Sequence, residues 1–472
     1  MKVYPIILCF LLSLFATLII PRQYDSEDMV LHLPFIKVIN DNSLYKNDYL
    51  ISSSNPQNNI TIYYQVIAKI VSITKLTYDD LFSILRYVYY FLCFYFFIKI
   101  SQLLFNSLDV GFFIGLLSLL RIPVGGTAIQ ILETEALPRA LSVSFGLWIL
   151  YSFFHKKYFV AILIFIISFL IHPTSAFFFI SILFVYQLCK YLHKFKKIKV
   201  PLIMLSTLIL AILLIVVSPI RQDWLNIISL RNSYAFLNLW NINNFIYLVM
   251  LNIPLFVSLL INATKNQKFQ ILSKTVILTA LIFTGIHVIF VVIKPVSLII
   301  NLQLLRIWIF PSILSLFVVS YIVINKFNKF PKILIMSILL VFIIWRNLVL
   351  PSVKSKTSWI DIQQWVGGNS QQNCVFLVPF YNSGFRVYSN RSIIGEYKDG
   401  ALSFYSKEFA LDWNNRLHDL GYWEINTNDE IIKLQSKYKF DYLVSGTFVS
   451  NKFTRVYKNN EYKVYQITKD CN

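Results

Sequence analysis

Arg22-Gln23-Tyr24-Asp25-Ser26-Glu27-Asp28-Met29-Val30-Leu31-His32-Leu33-Pro34 follows directly on an apolar run over residues 3–20. That run is as long as a bilayer core requires. One lysine precedes it and no small-x-small cleavage site follows, so it reads as a retained first transmembrane helix. The next residues place Asp25, Glu27 and Asp28 within four positions. Three carboxylates at a bilayer surface repel one another, an arrangement poor for stability and suited to base chemistry or cation binding. The plainer reading is a solvated loop after an anchor.

The rest of the chain is as greasy as its start. Hydrophobic residues make up 57% and charged residues 14%, which is a membrane composition rather than a soluble one. Further apolar spans fall at 81–104, 110–120, 138–154, 158–171, 174–189, 200–218, 245–261, 275–293, 307–324 and 333–350. With the first helix this predicts an all-α polytopic bundle of about eleven crossings. Between residues 21 and 80, Ile60, Tyr63, Tyr64, Ile67, Ile70 and Val71 recur at helical spacing, the pattern of a helix lying in the interface.

A formal charge of +20 raises the question of nucleic acid, and the placement of the lysines answers it. The loops 155–157, 190–199, 264–274 and 325–332 are rich in Lys and contain no acid. An odd number of spans with the N-terminus inside puts all four on the cytoplasmic side. The acidic first loop, the loops 121–137 and 219–244, and the tail then face outside. Excess cation marks topology here, and a nucleic-acid partner is set aside.

From Pro351 the character changes to short alternating runs punctuated by Gly, Asn and Ser. Helices are expected at 359–366, 412–420 and 430–438, strands at 374–379 and 442–445, and a hairpin from 453–457 with 462–467. The domains are therefore a transmembrane domain over 1–350, with its first outer loop at 21–80, and a small outer α/β domain over 351–472. Five cysteines show no metal-binding spacing, and Cys374 with Cys471 could pair in an oxidising compartment.

Ionisable groups recur near the outer ends of spans: Arg121, Glu133, Glu135, Arg139, His172 before Pro173, and Arg306, with His287 inside a span. Arg139 and Arg306 can snorkel, His172 can simply end a helix, and Glu133 and Glu135 can pair with Arg121 and Arg139. Together they suit one reaction class. A carboxylate deprotonates an acceptor hydroxyl while guanidinium groups hold a lipid-linked phosphate. Walker, GxGxxG and GxSxG patterns are absent, which argues against nucleotide hydrolysis, a Rossmann cofactor site and an α/β-hydrolase. No cofactor is implied. A carboxylate cluster could recruit a divalent metal, with no ligand set fixed by spacing.

This plan resembles the GT-C superfamily of polytopic glycosyltransferases. It is similar, more closely, to an uncharacterised bacterial family common in cyanobacteria and related to that superfamily. The matching pieces are His32-Leu33-Pro34, Asn47-Asp48-Tyr49, Glu135 with Pro138-Arg139, His172-Pro173 and Gln303-Leu304-Leu305-Arg306. In the tail they are Trp365, Phe376-Leu377-Val378-Pro379, Phe385-Arg386, Asn390-Arg391-Ser392, Lys398, and Trp413 with Arg416. The resemblance implies a polyprenyl-phosphate-linked sugar donor, a glycan or lipid acceptor, inversion at the anomeric carbon, and a place in the bacterial inner (plasma) membrane.

Asp25, Glu27 and Asp28 inherit the role of base, with Asp28 favoured because it stands four residues before His32. The superfamily's common Asp-Glu pair appears here in reversed order, as Glu27-Asp28. Arg139, His172 and Arg306 become donor-phosphate contacts. Arg386, Arg391, Lys398 and Arg416 either bind a saccharide or hold the small domain together. A flippase of lipid-linked saccharide and a non-catalytic membrane-anchored binding protein are the alternatives.

Overall fold

A computed structural model of the chain describes residues 4–25, 27–53, 62–194, 221–264, 266–349, 357–420, 427–468 and 471. The protein is mostly helical and gathers into two units. The first comprises Met1–Arg22, Phe82–Arg221 and Asn232–Pro351; the second comprises Gln23–Leu81, Gln222–Arg231 and Ser352–Asn472. The loop that follows the first helix in sequence thus clusters with the C-terminal residues.

Six helices among the described residues are long and apolar enough to cross a membrane: Tyr78–Phe105, Pro173–Lys190, Ile242–Leu260, Gln267–Ile293, Ser297–Lys326 and Lys329–Leu348. This is fewer than the eleven crossings expected. Helices Tyr4–Ile19, Leu108–Ser118, Pro138–Phe154 and Tyr158–Ile171 are shorter, and the expected span 200–218 lies outside the described residues. Large apolar side chains stay uncovered on several helices, with Phe159 79% and Leu260 85% exposed, a surface suited to lipid rather than water.

The starts of the helices in the first unit follow from local chemistry. Pro138 opens its helix at a position where the missing N–H costs nothing. The Asn241 side chain accepts from Asn244 N at 3.0 Å, and that of Asn266 accepts from Phe269 N at 2.9 Å. Small residues let neighbours approach closely. A Cβ at Gly146 would run into the Phe179 ring, and Ser142 Oγ lies 2.6 Å from Ser168 Oγ.

In the second unit a mixed sheet is built from β1 (Val375–Leu377), β2 (Ser392–Ile393), β3 (Tyr442–Ser445), β4 (Thr454–Lys458) and β5 (Lys463–Gln466), in the order β2-β1-β3-β5-β4. β1 runs parallel to β2 and β3, and the β4–β5 hairpin joins antiparallel through Leu443↔Tyr465. Helix Thr357–Asn369 lays Trp359, Ile362 and Val366 on Phe376, Ile393 and Val444 of the sheet. A disulfide joins Cys374 to Cys471.

Helices from residues 23–81 also belong to this unit. Met29–Asn40 contains Pro34, and its Lys37 Nζ donates to Val387 O and to Asn390 Oδ1. Tyr63–Thr74, expected to lie in the membrane interface, buries Tyr63, Tyr64, Ile67 and Ala68, and Tyr64 stacks on Phe35 of Met29–Asn40. Helix Gln222–Arg231 is fastened by Trp224 Nε1, which donates to Ser403 O at 2.8 Å.

Candidate functional site

The first unit holds a pocket that is partly open to its surroundings. Its polar lining is Tyr89, Gln130, Glu133, Arg139, Ser175 and Arg306; Ile131, Val143, Phe178 and Phe310 supply much of the apolar remainder. Arg139 stands one residue inside helix Pro138–Phe154 and grips Glu133 through Nε at 2.9 Å and Nη2 at 3.4 Å. Tyr89 Oη accepts from Glu133 N at 3.0 Å and so fixes the loop. Arg306 lies on a 3-10 turn, Leu304–Trp308, entered through Gln303 in the left-handed region. Its Nε reaches Thr127 O at 3.4 Å, and its guanidinium lies 5.4 Å from the Tyr234 ring centre.

The loop that delivers Gln130 and Glu133 is tightly folded. Val124 N donates to Ile129 O and Ile131 N to Ile122 O, around Gly125 and Gly126. Gly126 packs flat on Trp240, where a Cβ would come within 2.6 Å of the indole. Gln130 Oε1 is buried without a hydrogen-bond partner. Two guanidiniums and one carboxylate leave the lining with one net positive charge, in a largely apolar wall.

The cavity therefore brings together Arg139, Arg306 and Glu133 of the residues expected from sequence. His172 is outside the lining. Its Nδ1 accepts from Ser175 N at 3.2 Å, so the imidazole caps the helix that Pro173 begins and positions the lining Ser175. Glu135 is buried, 1% exposed, and also lies outside the lining. His287 accepts from Leu237 N at 3.4 Å, a packing role. Tyr89, Gln130, Ser175 and Phe178 carried no sequence signal beyond being polar or aromatic groups in apolar surroundings.

In the second unit the three first-loop acids occupy different settings. Lys398 Nζ lies 2.9 Å from Asp28 Oδ1 and 3.8 Å from Glu27 Oε2. Asp28 is also the residue at which helix Met29–Asn40 begins, and its carbonyl accepts from His32 N. His32 Nδ1 is 2.8 Å from Tyr64 Oη. Glu27 has a positive φ of 50° and is 63% exposed at its side chain. The Asp25 carbonyl oxygen packs on Gly384, where φ is +91° and a Cβ would come within 2.6 Å of it, so that position requires glycine.

The remaining tail candidates bind protein. Arg386 is fully buried and shared by Asp48, Asp399 and Glu396, all fully buried themselves. Burial opposes its charge, but Asp399, Asp48 and Glu396 outweigh that and raise its pKa well above the usual arginine range. Burial, and then Asp399, push Glu396 up to about 8. Arg391 donates to Gly367 O at 2.8 Å and Ser389 O at 3.1 Å. Arg416 sits 4.0 Å from the Tyr49 ring centre and donates to Ile394 O at 2.6 Å. Cys374, Asp441 and Cys471 also converge. The two sulfurs are joined, and Asp441 accepts from Val375 N and Thr468 Oγ1, so those metal-type donors are already used.

A family model described as a domain of unknown function, DUF6798, matches residues 357–420. That segment carries Arg386, Glu396 and Asp399, so it includes three members of the buried charge cluster whose fourth is Asp48. Among curated proteins, none matches the chain.

Proposed function

We propose that this chain is an integral-membrane glycosyltransferase that moves a sugar from a polyprenyl-phosphate donor to an acceptor hydroxyl at the outer face of the membrane. The observation that carries the reading is the cavity in which Arg139 and Arg306 face an apolar wall. Such a lining suits an amphipathic anion, with guanidinium for phosphate oxygens and Phe178, Phe310, Val143 and Ile131 for isoprenoid carbons. One net positive charge matches the single charge of a sugar phosphodiester.

In the reaction, Asp28 accepts the proton of the acceptor hydroxyl as that oxygen bonds to the anomeric carbon. The bond from that carbon to the phosphate oxygen breaks on the opposite face. Its electron pair leaves on the phosphate, where the guanidinium groups stabilise the added charge. Glu27 and Asp25 are the alternative bases. Lys-rich segments at 155–157 and 325–332, together with a disulfide that needs an oxidising compartment, support a cytoplasmic N-terminus and an external C-terminal domain in a bacterial plasma membrane.

The test is release of polyprenyl phosphate from a panel of polyprenyl-phosphate sugars by the protein in nanodiscs. Asp28→Asn is expected to abolish release while leaving the protein inserted. Full release by Asp28→Asn, Glu27→Gln and Asp25→Asn alike overturns the catalytic assignment. One observation favours a second reading, a non-catalytic membrane-anchored binding protein: Asp28 is already paired with Lys398. Binding of the sugar lipid without any glycosidic product would support that reading.

A further inference from the structure

Arg121 follows helix Leu108–Ser118 with a positive φ of 48°, its N–H donating to Ser118 O at 2.9 Å. The residue is 7% exposed, and among the described residues its Nε has no hydrogen-bond partner. The sequence offered Glu133 and Glu135 as partners. Glu133 is held by Arg139 instead, and among the described residues no carboxylate forms an ion pair with Arg121. A guanidinium cannot shed its proton to escape burial. A buried charge without a partner is among the costliest arrangements in a fold.

A second cation stands close by. Arg346 is half-buried on the π-turn Trp345–Val349, at the end of a membrane-length helix. The next residue, Asn347, donates from Nδ2 to Leu119 O at 3.2 Å and to Ile343 O at 2.9 Å. Those bonds fix the turn against the residues immediately before Arg121. Arg346 also makes no ion pair among the described residues. Arg86, the third cation of the neighbourhood, donates to Ile20 O and to Tyr90 Oη, and Tyr90 Oη donates to Thr134 O at 3.0 Å. Burial first, and the charge of Arg346 second, lower the pKa of Arg121 from the usual arginine range.

Among the described residues no carboxylate pairs with either of these like charges, one of which is buried, so an anion would offset them. We infer that Arg121 and Arg346 form an anion site that takes a phosphate group, supplied by a membrane-lipid headgroup or by a free phosphate. Neither residue lines the cavity of Arg139 and Arg306, so the inference is independent of the glycosyl-transfer reading. Paired guanidiniums suit phosphate oxygens because each offers a planar fork of donors.

The full-length protein in detergent is assayed by native mass spectrometry with phosphatidylglycerol and with phosphatidylcholine, and by thermal shift with inorganic phosphate. Wild type is expected to retain phosphatidylglycerol or to be stabilised by inorganic phosphate. Arg346→Gln, at a half-buried position, is expected to weaken that response about tenfold. Retention of phosphatidylglycerol alone assigns a lipid headgroup; stabilisation by inorganic phosphate assigns a soluble ion. Arg121→Gln should behave the same way, and if it fails to fold, Arg346→Gln and the charge-keeping Arg121→Lys decide. Equal responses from wild type and Arg346→Gln, or no response from wild type to either probe, overturn the site.

Discussion

Arg386 Nε donates to Asp48 Oδ2 at 2.8 Å, joining positions 338 residues apart in a place neither side chain shares with solvent. The other edge of the guanidinium takes Asp399 in a fork at 2.8 and 3.0 Å. Asp48 is itself saturated by Ile393 N at 2.8 Å and Leu50 N at 2.9 Å. Breaking a buried pair leaves an uncompensated charge and costs about 3–5 kcal/mol. Asp48→Ala is therefore expected to lower the resistance of the second unit to proteolysis in urea by that amount, in the detergent-solubilised full chain. Unchanged resistance would remove the charge cluster as the clasp between residues 23–81 and 352–472.

The same cluster sets a pH dependence. Glu396 is pushed up to about 8 by burial and by Asp399, and its unfolded carboxyl titrates near about 4.3. Between those values the folded state holds a proton that the unfolded state has lost. Stability therefore falls as pH rises through this window, by about 1.4 kcal/mol per unit from this group alone, and levels off above its folded pKa. Asp399 is shifted in the same direction. Glu396→Gln keeps an acceptor for Gly384 N, bonded now at 3.0 Å, and removes the titration. Urea midpoints from pH 5 to 8 should decline in wild type and decline much less in the variant. Equal slopes would show that other groups carry the dependence.

The disulfide between Cys374 and Cys471 closes a sequence separation of 97. Cross-linking a loop of that length restricts the unfolded chain, and small-domain disulfides typically contribute about 2–4 kcal/mol. Cys374→Ser is expected to lower the unfolding midpoint accordingly. Alkylation of intact membranes before denaturation should find both thiols blocked in wild type. Free, alkylatable thiols at 374 and 471 would place the tail in a reducing compartment and reverse the proposed topology.

Hydropathy made the membrane class legible, because a long apolar run is a local signal. The turns at 155–157 and 327–328 lie where the lysines predicted breaks, and the β4–β5 hairpin falls within a residue or two of its expected place. What stayed hidden was pairing at long range. Asp48 entered the sequence reading only within the motif Asn47-Asp48-Tyr49, and Arg386 as either a saccharide contact or a structural residue, since nothing near either one announces a partner so far along the chain. Arg391 and Arg416 read equally as saccharide contacts or as structural residues, and their donors go to protein groups: backbone carbonyls, Ser370 Oγ and Asp412 Oδ2. Helix Met29–Asn40 was obscured by Pro34 and by the acids before it, and its contacts with Tyr64 and Val387 explain its stability better than its own pattern does.

The Glu133–Arg139 pair gives the cavity a built-in competitor for any anion. A ligand phosphate must share Arg139 with a carboxylate held at 2.9 Å. Glu133→Gln removes the competing charge and should tighten binding of a polyprenyl-phosphate sugar about tenfold, whereas Arg139→Gln should weaken it by a similar factor. Tryptophan-quenching titrations of the protein in nanodiscs would measure both. If the two variants shift affinity in the same direction, or leave it unchanged, the phosphate does not sit at Arg139.

Lys398 separates a chemical from a structural role for Asp28. The ammonium lies 2.9 Å from Asp28 Oδ1, at the start of helix Met29–Asn40, and both side chains remain partly exposed, at 21% and 25%. A pair so open to solvent contributes only about 0–1 kcal/mol to stability. Lys398→Met should therefore leave the unfolding midpoint almost unmoved. If Asp28 is the base, losing the group that positions it changes kcat and its pH profile, and Lys398→Arg restores much of both. If the pair is purely structural, sugar transfer and its pH profile stay unchanged in Lys398→Met and in Asp28→Asn alike.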